Sequence, residues 1–189
     1  MKLTLDFNCI IALEDNEPSA EYLNHLLNLH DQNKLDICVP AISGIEKLKN
    51  GSNANSISEL INRLGNLSKR PIKILNTLAY LDMWFLGYAI LAEDELVALD
   101  EQIHNILFPN TPYLWDDFVR TKNGNLEVAF SKWKNNRCDV ISMWCHIYHK
   151  NDIFITNDNN FFRQTRFNKL IHLGGRKILK PDAAFILLS

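Results

Sequence analysis

The feature that most constrains this chain is an alternation: short apolar runs of strand character are followed, one after another, by segments whose apolar residues recur at helical spacing. Residues 3–7 form the first run, and beyond Asn16 and Pro18 come Tyr22, Leu26, Leu27 and His30 at helical intervals. Residues 35–39 form the second, and Pro40 is expected to open a helix carrying Ile42, Ile45, Glu46 and Leu48. A helix over 56–67, with Ile57, Leu60, Ile61 and Leu64 on one face, precedes Pro71 and an apolar run at 72–75. Near the C-terminus a helix over 138–148, a strand at 153–155, a polar turn at 157–160 and a further helix lead to a strand at 176–179. A short helix opened by Pro181 follows it. Strands joined through helices can pair in parallel, so the expected class is α/β, a single domain over 1–189 built on a parallel sheet flanked by helices.

The middle is harder to place. Residues 83–92 are the longest apolar stretch, about half of the roughly 20 residues a membrane-spanning helix needs, and read as a buried helix. Two packed helices are expected over 80–107, with 93–95 as a solvent-facing interruption, and helices resume near Leu126 after Pro109, Pro112 and Gly124. A helical insertion over about 70–135 is therefore expected.

Twenty basic residues against twenty-two acidic ones leave a formal charge of -2, which excludes a global positive field, so any polyanion site must be local. Cys9, Cys38, Cys138 and Cys145 form no C-x-x-C pair and have no histidine at zinc-ligand spacing, which points to reduced thiols. Asp6 and Asn8 interrupt the apolar run that a signal peptide would need, and a cytoplasmic protein without a membrane span is expected.

Ligands of open parallel sheets bind at the carboxyl ends of the strands. Asp6 ends the first strand, Glu46 lies on the helix after the second, Asp139 opens the helix before the 153–155 strand, and Asp158 follows that strand directly. Carboxylates crowded together repel one another unless a cation compensates them, and oxygen ligands suit Mg²⁺ or Mn²⁺. Each acid also has a structural reading. Glu46 follows Ser43 by three residues, as in a capping box; Asp139 fits the third position of a helix capped by Asn136; Asp158 fits a turn between Asn157 and Asn159. Asp6 has no such alternative, being a charge inside an apolar strand with no local cap to make.

The series Leu5-Asp6-Phe7-Asn8, Pro40 with Glu46, Asp139 at a helix start, and Ile155-Thr156-Asn157-Asp158-Asn159-Asn160-Phe161 resembles the PIN-domain nucleases. The resemblance covers 1 to about 50 and about 135–180. It implies a five-stranded parallel sheet and an acidic cluster, Asp6, Glu46, Asp139 and Asp158, that binds Mg²⁺ or Mn²⁺ and cleaves RNA to a 5′-phosphate and a 3′-hydroxyl. Asp6, Asp139 and Asp158 would hold metal, Glu46 would complete the site or orient the water, and Asn8, Thr156 and Asn160 would support the acids. Many members carry an acid at the position of Asn160 and a Thr or Ser at that of Phe7, so the second metal position is weakened here. The long middle segment departs from the compact toxins of the family.

Arg163 and Arg166 after the last acid, and Lys132, Lys134 and Arg137 before Asp139, are candidates to steer a phosphate backbone or are solvated helix faces. Trp133 and Trp144 fit base stacking or core packing, and His146, seven residues after Asp139, reads as a packed histidine. Candidate partners are RNA, a protein inhibitor or antitoxin, and a second copy of the chain. Two other functions compete: a PIN-like module that binds RNA or protein through a weakened or inactive metal site, and a phosphotransferase of haloacid-dehalogenase type with Asp6 as nucleophile. The latter needs a second Asp where Asn8 stands.

Overall fold

The computed structural model describes residues 1–44, 57–79, 85–121 and 126–189. Its strands are β1 (Lys2–Leu5), β2 (Asp36–Pro40), β3 (Lys73–Leu75), β4 (Thr77–Leu78), β5 (Ala89–Ile90), β6 (Ile153–Ile155) and β7 (Lys177–Leu179). Five of them form one sheet in the order β3-β2-β1-β6-β7, and every neighbouring pair is parallel. The dipeptides β4 and β5 pair separately, also in parallel. The helices are α1 (Phe7–Glu14), α2 (Ala20–Asp31), α3 (Ile57–Leu67), α4 (Asp94–Leu107), α5 (Trp115–Arg120), α6 (Leu126–Tyr148), α7 (Gln164–Leu170) and α8 (Pro181–Leu188).

Side chains along a strand alternate between its faces, and here both faces are buried. Leu3, Leu5, Ile37, Val39, Ile153 and Ile155 point to a core shared with α1, α2, α3 and α8. Cys38, Phe154 and Ile178 point to the other, which α4, α6 and α7 close with Ile103, Leu107, Ile141, Trp144 and Leu170. The fold is therefore α/β, with helices on both faces of a five-stranded parallel sheet.

Several expectations need correction. The middle segment is not a purely helical insertion: it begins with β3, an edge strand of the main sheet, and ends inside α6. The stretch 83–92 is not a buried helix in its described part. Residues 85–92 form a turn and β5, with Gly87 at φ 85° and with Leu86 and Leu91 86% and 85% exposed. Within 80–107 the described helix is α4, which begins after Glu93 in extended conformation. Pro40 closes β2 and a 3₁₀ turn, Ala41–Gly44, follows it; the rest of the helix expected there, with Ile45, Glu46 and Leu48, lies outside the described residues.

The helix expected at 138 starts at Leu126, so Asp139 lies in the middle of α6 and has neither a cap nor a helix terminus beside it. The polar stretch that hid the continuity of α6 includes Arg137, which is fully buried. Its guanidinium bonds Asp100 Oδ1 at 2.6 Å and lies 5.0 Å from the Tyr113 ring centre, and Tyr113 donates to Asp100 Oδ2 at 2.8 Å. Arg137 is thus a core tie between α6 and α4 and is removed from the candidates for phosphate steering.

His146 ties α6 to the sheet. Its Nε2 faces the Gly175 carbonyl at 3.1 Å and so carries the proton; its Nδ1 accepts from Thr4 Oγ1 at 3.0 Å, and Thr4 Oγ1 accepts from Asn151 Nδ2 at 2.8 Å. Burial pushes the imidazole down to about 4, as a packed neutral histidine requires.

Candidate metal centre

The site forms where β1 and β6, adjacent at the centre of the sheet, end together. The Asp6 N–H extends the strand ladder by donating to the Ile155 carbonyl at 3.0 Å, after which the chain turns into α1. Asp6 is the extended N-cap of that helix, and its Oδ1 accepts from the Phe7 N–H at 2.9 Å. The expectation that Asp6 has no local cap to make is therefore wrong. Capping alone does not account for its environment, because Oδ2 accepts from Asn8 Nδ2 at 2.6 Å and from the Thr156 hydroxyl at 2.7 Å.

Thr156 is the hub that joins the two strand ends. While donating to Asp6 it accepts from Asn8 Nδ2 and from the Asp158 N–H, both at 3.0 Å. Asn8 Oδ1 accepts from the Asn157 N–H at 3.0 Å, so the side chain of Asn8 bridges the β1 and β6 termini. Asp158 accepts from the Asn160 N–H at 2.8 Å in a tight Asx turn. The supporting part of Asn160 visible here is thus its backbone, which any residue except proline supplies.

The electrostatics place Asp139 in the same neighbourhood. Asp6 is 2% exposed, and burial is the main reason its carboxyl is raised to about 6. The bonds from Thr156 and Phe7 oppose that rise and the charge of Asp158 adds to it. Asp139, half-buried on α6, is pushed well above the usual carboxylate range by burial, then by the charges of Asp6 and Asp158. Three acids from three separate elements therefore sense one another at the carboxyl edge of the sheet. Glu46, expected as the fourth, lies outside the described residues.

Arg163 is the exposed N-cap of α7. Arg166, one turn on, is half-buried; burial and Arg163 lower the pKa of its guanidinium, and the charge of Asp158 opposes this, so Arg166 stands on the Asp158 side of the site. Lys132 is exposed two helical turns before Asp139 and so lies on the same face of α6. Trp133 and Trp144 belong to the core and donate to the Tyr113 and Leu96 carbonyls at 3.3 and 3.1 Å. Sequence reasoning did not foresee Ser19, which accepts from Asn157 Nδ2 at 3.0 Å just before α2. Its place ahead of a helical run is the cue that could have found it.

The donor set fits a hard divalent cation in chemistry and charge. All the groups are carboxylate oxygens, their mutual repulsion is relieved by a cation, and Asp6 Oδ1, accepting one hydrogen bond, keeps a lone pair. Among the described residues, however, no three His, Cys, Asp or Glu side chains are drawn together as a ready metal-binding group. No protein-family model, curated protein or solved structure matches this chain, so the PIN-like resemblance rests on the chain's own residues. Among the described residues no helix is long and apolar enough to cross a membrane.

Proposed function

We propose that this protein is a metal-dependent ribonuclease of PIN-like type, hydrolysing RNA phosphodiesters at the Asp6, Asp139 and Asp158 cluster. The observation that carries the proposal is the coupling of three carboxylates, brought from β1, α6 and the β6 loop to one strand edge, where burial holds Asp6 and Asp139 above their ordinary range. Evicting a charge into such a place costs free energy that a structural role does not return. Mg²⁺ or Mn²⁺ held by Asp6, Asp139 and Asp158 would supply charge neutralisation at the phosphate and a more acidic water.

The chain's own residues set the geometry for this. Thr156 and Asn8 lock the Asp6 carboxylate so that only one edge is open, and the Asn160 N–H orients Asp158. Arg166, with Arg163 beside it, offers positive charge to phosphates next to the scissile one, and Lys132 does so from the face of α6. Free, buried cysteines at all four positions suit a reducing cytoplasmic setting.

The test is cleavage of a mixed panel of end-labelled RNAs with Mn²⁺ or Mg²⁺, comparing wild type, Asp6→Asn, Asp139→Asn and wild type in EDTA. The expected result is loss of cleavage by at least about 100-fold in all three controls. A second reading, a PIN-like module that binds RNA without cutting it, is favoured by the absence of a ready metal-binding group among the described residues. RNA retention with no metal-dependent cleavage in wild type would establish that reading in place of the first.

A further inference from the structure

Next to the acids, the chain lines a groove of about 270 Å³ that none of the chemistry above uses. Its lining is Pro18, Ser19 and Tyr22 around the start of α2, Lys180, Pro181 and Asp182 at the start of α8, and Asn157 after β6. Asn157 stands in the chain between Thr156, which holds Asp6, and Asp158, so one loop after β6 supplies a residue to the groove and residues to the acidic site. We propose that it receives a nucleobase of the bound RNA next to the scissile phosphate, and so sets base preference at that position. The proposal rests on the nuclease reading for its substrate and goes beyond it in naming a recognition subsite.

The chemistry of the walls selects a base. Tyr22 presents a half-buried ring, held from behind by Phe185 at 5.5 Å between ring centres, and two prolines add flat apolar surface beside it. Such a slot favours a planar aromatic group that stacks, whatever its identity. Hydrogen bonding can then discriminate. Ser19 Oγ accepts from Asn157 Nδ2, which leaves the Ser19 O–H proton and the Asn157 Oδ1 lone pairs without a partner among the described residues. A donor and an acceptor side by side match the adjacent acceptor and donor on the Watson–Crick edge of a base.

Charge argues against a bare phosphate. Lys180, whose Nζ donates to Asn159 Oδ1 at 2.8 Å, is balanced by Asp182, which lines the groove from the first turn of the same helix. The pocket is therefore close to neutral, as a base requires, and Lys180 remains at its rim for the phosphate that links that base to the cut.

The test is titration of the full chain, in EDTA, with AMP, GMP, CMP and UMP in turn and with ribose 5-phosphate as control, followed by amide chemical shifts. At least one nucleotide is expected to bind saturably, shifting Ser19, Tyr22 and Asn157, with ribose 5-phosphate at least about tenfold weaker. Tyr22→Ala should weaken the nucleotide about tenfold, and Tyr22→Phe should preserve it. Should Tyr22→Ala not fold, Ser19→Ala replaces it and is expected to reduce the difference in affinity between the bases.

Equal binding of ribose 5-phosphate, indifference to these substitutions, or shifts confined to other residues would overturn the proposal. Nucleotide binding here with no RNA cleavage would sink the nuclease reading and leave the subsite standing. Cleavage without nucleotide binding would do the reverse.

Discussion

Asp6 and His146 are two buried titratable residues whose costs run in opposite directions. Folding raises the Asp6 carboxyl from 3.8 to about 6, so the native state binds a proton more tightly than the unfolded chain, and this group's contribution to stability falls as pH rises through that window. Folding lowers the His146 imidazole from 6.5 to about 4, so the unfolded chain binds the proton more tightly, and its contribution falls as pH drops. Each shift corresponds to about 3 kcal/mol, and the two nearly cancel between about pH 4 and 6. Asp139, also raised, adds to the Asp6 side. With Asp139 left unbalanced, urea unfolding in EDTA across this range should show wild-type stability falling as pH rises. His146→Gln, which keeps a donor for Gly175 and an acceptor for Thr4, should show stability falling more steeply than wild type as pH rises. Asp6→Asn should tilt the profile the other way relative to wild type. Parallel profiles for all three proteins would mean that neither group is held as described.

At the level of elements, the parts legible in the sequence were those in which burial produced a clean period. Residues 153–155 read as a strand because both faces are covered and the run is continuously apolar, 35–39 because Asp36 alone interrupts its apolar run, and α2 and α3 read as helices because each has one solvated face. Helix α1 did not, since Phe7, Cys9, Ile10 and Ala12 are buried around nearly its whole circumference and leave no period to see. Missing α1 is what made Asp6 look uncapped. The continuity of α6 from Leu126 into 138–148 was obscured because Arg137 occupies a core position that only a distant acid, Asp100, makes tolerable. Acids at the ends of β1 and β6 were legible from strand position; the network of Asn8, Thr156 and Asn157 that laces them together depends on strand adjacency, which no local pattern encodes.

The two readings of the basic residues make separate demands. Arg137→Ala should cost about 3–5 kcal/mol, because it strands Asp100 in the core. The folded fraction of that variant should bind RNA as wild type does. Arg166→Ala should weaken RNA binding while changing stability little. Urea midpoints and filter binding at fixed salt distinguish them, and a folded Arg137→Ala protein that had lost RNA affinity would return Arg137 to the phosphate path.

Over the whole molecule, a net charge of -2 means that no general field gathers polyanions or disperses the crowded acids, so both tasks fall to the site. A cation that binds the folded chain through Asp6, Asp139 and Asp158 has to displace the protons that burial favours there. Its binding must therefore strengthen as pH rises, and so must the stability it confers. At 100 times its dissociation constant a single bound ion adds about 2.7 kcal/mol. Thermal unfolding should show Mn²⁺ raising the midpoint at pH 7.5 and doing so far less at pH 5, below the raised value of Asp6 at about 6. Asp139→Asn should lose most of the Mn²⁺ effect at pH 7.5, although it removes a buried repulsive charge and so stabilises the metal-free protein. An equal Mn²⁺ shift in wild type and Asp139→Asn, or one independent of pH, would place the cation elsewhere and leave the acidic cluster without the partner its charge demands.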